Sequence, residues 1–243
     1  MTLPEYDEAT GGFHVFQNRA RLAHHAPHQD WVAGFGPGVR VGQHMRIAGY
    51  IAETVLADRL PDERRGIMLD LGCGASPLTD ALTDVCRSQG WTHLCADGEA
   101  VLDLLDDMPS RVKFPSQWPT GAQRLRDSVG GNVDAILAFS VLQYAKRDGF
   151  LHSFVMESCR SLRIGGTLLL GDVPNRDQRN RVRALQGQPA TRVDPVDICD
   201  SDIREVIKGA AREGCRLLMH VRPPFLPSGY TRLDLLFRKE MPW

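Results

Sequence analysis

Between Ile67 and Pro77 the chain reads Ile-Met-Leu-Asp-Leu-Gly-Cys-Gly-Ala-Ser-Pro. A short apolar run carries an acid near its end, Asp70, passes through Gly72-Cys73-Gly74 and meets a proline. Proline suits the first position of a helix, where its missing N–H had no partner to lose. Glycines let backbone approach a ligand closely, and a helix N-terminus presents free N–H groups. Gly-x-Gly alone is a weak signal, because a tight strand-to-helix turn uses the same residues without a ligand. The third glycine of a dinucleotide fingerprint is also missing, with Ser76 and Pro77 where it would fall. A second acid strengthens the case. Asp97 ends the stretch His93–Ala96 about one strand–helix–strand unit later, where a carboxylate can accept from the hydroxyls of a ribose. Two more ordered segments follow, Asn132–Tyr144 and Ser161–Leu170, the second with a Gly165-Gly166 pair.

Such residues need strands and helices to hold them. Apolar Met45, Ile47, Ala48, Ile51, Val55 and Leu56 recur at helical spacing and predict a helix over about 43–60, stopped before Pro61. From Gly66 onward strand and helix alternate. Strands are predicted at Ile67–Leu71, His93–Ala96, weakly at Arg111–Phe114, then at Ala135–Phe139, Thr167–Leu170, Arg216–Val221 and Arg232–Arg238. Helices are predicted at Pro77–Ser88, Glu99–Asp106, Phe150–Leu162 and Asp200–Glu213. This alternation implies a parallel sheet with helices on both faces. Only the loop 223–230 joins the last two strands, so they should run antiparallel, since a parallel crossover needs a dozen or more residues. Two parts are expected: residues 1–60 as an N-terminal segment and helix, and 61–243 as the α/β domain.

The order LDLGCG, CADGEAVL, VDAILAFSVLQY, LRIGGTLLLGD resembles the class I S-adenosylmethionine-dependent methyltransferases, motif by motif from about residue 67 to 172. The resemblance implies a Rossmann-like, seven-stranded, mostly parallel sheet with an antiparallel last strand, and S-adenosylmethionine as cofactor. It implies that Asp70, Gly72 and Gly74 surround the methionine part and that Asp97 takes the ribose hydroxyls with Gly98 beside it. It places Phe139 and Ser140 at the methionine end. Two departures stand out. Ser76 replaces a common third glycine, and no acid follows the third strand to hold the adenine amine; Phe114-Pro115-Ser116-Gln117 is there instead, leaving Asp107 and Gln117 as candidates.

Methyl transfer is an in-line displacement, so alignment supplies much of the catalysis, but a hydroxyl acceptor also needs a base. Asp172, after the fifth strand, is the candidate base; the same residue would serve equally as a cap for the turn at Pro174-Asn175. His14, His24, His25, His28 and His44 precede the cofactor motif, and none stands out. Phe13, Phe16, Trp31 and Phe35 lie in the same stretch. A disordered tail would be poorer in aromatics, so residues 1–42 are expected to fold over the cleft as a lid. Four arginines between Arg176 and Arg183 form either a solvated charge run or a grip on an anionic acceptor. GDVPN, the arginine run and TRLDLLFRK look similar to methyltransferases of polysaccharide and other small-molecule pathways. That points to O-methylation of a sugar or related metabolite.

Other classes fit less well. The formal net charge of −1 lacks the basic excess of a nucleic-acid binder. Apolar runs are strand length, far short of the roughly 20 residues of a membrane span. Met1–Thr10 carries three acids and no apolar segment, so no secretory signal is expected and the protein is read as cytoplasmic. The six cysteines form no CxxC pair and are read as reduced, small apolar residues. No Asn/Asp-Pro-Pro-Tyr/Phe follows the fourth strand, as amide and base N-methyltransferases require. No acid ends that strand to hold a magnesium ion, so no metal is expected. A nicotinamide-dependent dehydrogenase would lack its third glycine and a Tyr/Lys proton relay. A non-catalytic protein binding only cofactor or a partner is the other alternative.

Overall fold

β1 (Ile67–Leu71) and β4 (Val133–Phe139) are buried along nearly their whole length, as strands covered by helices on both faces must be. The computed structural model describes residues 43–56, 65–194, 196–224, 226 and 229–242. Within them β2 (Thr92–Asp97), β3 (Arg111–Pro115), β5 (Leu162–Pro174), β6 (Cys215–His220) and β7 (Arg232–Lys239) complete a seven-stranded sheet in the order β3-β2-β1-β4-β5-β7-β6. The pairings from β3 to β5 are parallel, and β7 runs antiparallel to both its neighbours. This is the Rossmann-like arrangement expected, with the reversed last strand inserted next to β5.

Alternate strand residues feed two separate cores, because successive side chains point to opposite faces. Leu69, Leu71, Ile136, Ala138, Leu168 and Leu170 face one helix layer, α4 (Ala122–Val129), α6 (Leu151–Arg160) and α8 (Asp200–Arg212). Met68, Ala135, Leu137, Phe139 and Leu169 face α1 (His44–Val55) and α2 (Pro77–Ser88). The alternation sets register, since a one-residue slip would exchange the faces. A short α3 (Glu99–Leu102) follows β2, and α5 (Leu142–Arg147) follows β4.

Several boundaries differ from the sequence reading for local reasons. The Gly-Gly pair does not end a helix before a new strand. It lies inside β5, where the register with β4 shifts between Val133 and Ala135. Gly165 has φ +83°, and a Cβ on Gly166 would sit 2.7 Å from the Asp134 carbonyl oxygen, so a bulge here demands glycine. The helix expected over 99–106 stops at Leu102. α7 (Arg176–Leu185), unforeseen, buries no residue and so carries no apolar period to read. Its start is marked only by Asn175, whose side chain accepts from the Gln178 N–H at 2.7 Å. The first helix covers His44–Val55, and the N-terminal segment with its lid role and with His14, His24, His25 and His28 lies outside the described residues. No helix among the described residues is long and apolar enough to cross a membrane.

Candidate active site

A cleft opens at the carboxyl ends of β1, β2 and β4, enclosing about 1160 Å³ including its open mouth, ample for a nucleoside-sized ligand. On one side stands the glycine turn. Gly72 and Gly74 both adopt positive φ, at +68° and +64°, a conformation that is strained for other residues. A Cβ on Gly72 would meet Val141 Cγ2 at 2.8 Å. The Gly72 N–H bonds the Ala96 carbonyl at 2.8 Å, which ties the turn to the end of β2. Asp97 does the same from its side chain. It accepts from the Gly74 N–H at 3.0 Å and from the Gly98 N–H at 2.7 Å. Burial pushes its carboxyl up to about 6, against the stabilising pull of those two donors.

Beneath the turn Asp70 is almost fully buried and lies 3.2 Å from His93 Nε2. His93 Nδ1 lies 2.8 Å from the Thr83 hydroxyl, which also accepts from Arg111. Burial resists charge on the imidazole, but Cys95 and Asp70 outweigh it and push His93 up to about 9. The motif acid thus faces a buried cation.

The β4–β5 side is different. Ser140 and Asp172, adjacent at two strand ends, are non-glycine residues at φ +60° and +57°. Such backbone costs energy and persists only where the surroundings impose it. Here the Ser140 N–H bonds the Gly171 carbonyl at 2.9 Å and the Ser140 hydroxyl donates to Asp172. Asp172 is wholly buried, 3.1 Å from Arg222 and 3.0 Å from Arg232. Arg222, also fully buried, pairs at 2.9 Å with Asp234, and its guanidinium lies over the Phe139 ring at 5.4 Å. The ring also crowds Gly171, where a Cβ would be 2.5 Å from Phe139 Cδ2. Tyr50 of α1 hydrogen-bonds Asp234 and extends the network to the N-terminal helix.

Of the residues expected in the site, Asp70, Gly72, Gly74, Asp97, Phe139 and Ser140 line one cleft. Gly98 does not; its N–H is spent on Asp97. Asp172 lies behind Ser140 rather than on the cleft wall. Neither adenine candidate faces the cleft: Asp107 is exposed and pairs with Lys113 at 2.8 Å, and Gln117 is exposed. The sequence reading missed Ser116. It lines the cleft, its N–H bonds the Asp97 carbonyl at 2.9 Å, and its buried hydroxyl has no partner among the described residues. Trp118, Val141 and Phe150 also line the cleft. The four arginines of α7 are engaged close to home, Arg179 with Asp197 at 2.6 Å, Arg181 with Asp200 at 3.0 Å, Arg183 with the Pro189 carbonyl at 2.7 Å and Arg176 with Asp177 at 3.4 Å. None of them lines the cleft.

No protein-family model matches the chain, and no curated protein matches it in sequence. Solved structures match it in shape. The plantazolicin methyltransferase BpumL, in complex with a monoazolic desmethylPZN analog and S-adenosylhomocysteine, aligns at TM-score 0.58 and 10% identity, over 94% of this chain and 96% of its own. The N-methyltransferase NodS from Bradyrhizobium japonicum WM9, also with S-adenosylhomocysteine, aligns at 0.57 and 14%, over 94% and 98%. An O-methyltransferase family protein from Burkholderia thailandensis aligns at 0.57 and 17%, over 93% of this chain but 64% of that one. The likeness is one of fold. This chain has the class I methyltransferase fold.

Proposed function

We propose that the protein is an S-adenosylmethionine-dependent methyltransferase acting on a small molecule, with an oxygen of a sugar or related metabolite as the methyl acceptor. The observation that carries the cofactor reading is Asp97, whose carboxylate is fixed by the Gly74 and Gly98 N–H groups at the lip of the glycine turn. A carboxylate so placed keeps lone pairs for two ribose hydroxyls. The residues fit the cofactor in two further respects. Gly72 and Gly74 form a turn at positive φ, and a Cβ on Gly72 would clash with Val141, while Ser116 offers a buried hydroxyl without a partner among the described residues to the adenine. When bound, the cofactor supplies a methyl group activated on a sulfonium.

The chain's own part is binding and alignment. Asp70, anchored by His93, faces the methionine end with Gly72 and Gly74, and Gly98 holds Asp97. Phe139 and Ser140 bound the space where acceptor and methyl meet. Asp172 does not fit the part of general base: a wholly buried carboxylate engaged by two arginines and a hydroxyl meets no acceptor. It is a positioning residue for Ser140. The α7 arginines, engaged by nearby acids and a backbone carbonyl and absent from the cleft, give no grip on an anionic acceptor, which favours a neutral, hydroxylated one.

Residues 1–42 remain the proposed lid. α1 carries Tyr50 beside the β5–β7 network at the carboxyl edge, and its later Val55 carbonyl accepts from Thr167, nearer the start of the parallel part of β5. The amino end of α1 therefore lies toward the edge where the cleft opens. Incubation with S-adenosylmethionine and a panel of hydroxylated metabolites, following S-adenosylhomocysteine release, tests the function. Release with a hydroxylated acceptor, lost on deleting residues 1–30 while cofactor affinity stays, is expected. Release only with amine or nucleic-acid acceptors would overturn the oxygen assignment.

A further inference from the structure

We propose that Gln143 and Arg147 of α5 form an acceptor subsite that reads one free hydroxyl of a neutral polyol, next to the oxygen that is methylated. The inference rests on the hydroxylated-acceptor reading above and adds which residues recognise that acceptor. Buried polar atoms in a folded protein almost always have partners. Gln143 Oε1 and Arg147 Nη2 are buried, and neither has one among the described residues. The Ser116 hydroxyl, already given to the adenine, is in the same position. All of these residues lie on segments leaving the carboxyl ends of β3 and β4, the edge where an α/β sheet binds its ligands.

Both side chains are fixed by their other atoms. Gln143, only 7% exposed, donates from Nε2 to the Ser140 carbonyl at 2.8 Å. That bond orients the amide and leaves Oε1, an acceptor, as its other end. Arg147 donates from Nε to Asp148 at 3.0 Å, and its guanidinium lies over the Tyr144 ring at 5.2 Å. Asp148 offsets the cation's charge, so the remaining N–H groups suit a neutral oxygen. Ser140, Tyr144 and Asp148, which these side chains touch, all line the cleft. Residues 143 and 147 are one helical turn apart and share a face of α5. The two unpartnered atoms are complementary. One accepts and the other donates, and a hydroxyl does both. An ammonium has no lone pair for Arg147, a carboxylate has no proton for Gln143, and an ether oxygen answers Arg147 alone. The pair thus selects a free hydroxyl beside Ser140.

The test uses the full chain with S-adenosylmethionine and the methyl pyranosides of glucose, galactose, mannose and xylose, each beside its monodeoxy forms, following S-adenosylhomocysteine release. For a pyranoside that is turned over, one deoxy form that keeps the methylated hydroxyl should lose at least about a hundred-fold in kcat/KM. A site built around a hydroxyl leaves its own groups unpaired when that hydroxyl is missing. Arg147→Lys keeps the charge beside Asp148 but loses the forked donor, and Gln143→Met loses the acceptor. Each should shrink the preference for the parent sugar at least about ten-fold, with S-adenosylhomocysteine affinity unchanged. A purely structural role would slow parent and deoxy sugars alike. An unchanged preference in both variants, or a panel in which no deoxy form loses, overturns the proposal alone. If Gln143→Met does not fold, Arg147→Lys decides. Turnover of no sugar in the panel overturns the hydroxylated-acceptor reading and this subsite with it.

Discussion

On the β1–β2 side, the cleft is walled by backbone: two glycines at positive φ, and a carboxylate whose main task is to hold two N–H groups. On the β4–β5 side it is walled by side chains, with Phe139 and Ser140 set in place by Arg222, Asp172, Arg232 and Asp234. The two constructions suit different tasks. A backbone cradle recognises a constant ligand and tolerates little change, since its glycines must keep positive φ. A side-chain network can be rebuilt residue by residue, as a site for one acceptor among many would require. It also carries a cost, because the buried Asp172, Arg222 and Asp234 are stable only while each has its partners.

The sharpest break in this comparison is Gly72→Val. Strain at φ +68° and a clash with Val141 strike the cradle itself, and titration calorimetry should find no cofactor binding by the folded variant. Arg222→Met strikes the other wall and should behave oppositely. Stranding Asp172 and Asp234 should cost about 3–5 kcal/mol of stability in chemical denaturation. Affinity for S-adenosylhomocysteine should stay within about five-fold if the two walls are as separate as they look. Loss of binding at full stability would merge them. Asp97→Ala removes about 1.5–3 kcal/mol per charge-assisted bond and should weaken binding ten-fold or more. Wild-type affinity in that variant would take Asp97 out of the site.

A smaller effect comes from pH. The free protein holds Asp97 up at about 6, while ribose hydroxyls and the Gly74 and Gly98 donors favour the ionised form. Affinity is therefore full above pH 6 and falls as pH drops through it, by about four-fold at pH 5.5. The same raised value means that Asp97 lends the unliganded fold relative stability as pH falls from about 6 toward the unfolded value near 4. Cofactor-induced stabilisation should thus narrow on acidification, and Asp97→Asn should flatten that profile. An unchanged profile in Asp97→Asn would assign the titration to another group.

How much was legible in the sequence follows the same division. The cradle is local: Asp70, Gly72 and Gly74 fall within five residues, and Asp97 ends the next strand, so motif order located them. The network is not local. Tyr50, Asp172, Arg222 and Asp234 meet only because β7 inserts beside β5 and α1 packs across it, and no spacing announces that. Gly165-Gly166 looked like a turn because a bulge and a helix stop draw on the same residue. Ser116 escaped because an acid was sought at that position, and its signal, a buried hydroxyl without a partner, exists only in three dimensions. Asp172 was placed at the correct strand end, but its burial between two arginines could not be read from its neighbours in the chain.

The central claim is that the Gly72–Gly74 turn and Asp97 hold S-adenosylmethionine. Isothermal titration of the reduced, folded wild-type protein with S-adenosylhomocysteine at pH 7.5 tests it most directly. A single saturable site, weakened ten-fold or more in Asp97→Ala, is the predicted result. A folded protein that takes up neither S-adenosylhomocysteine nor S-adenosylmethionine would contradict it.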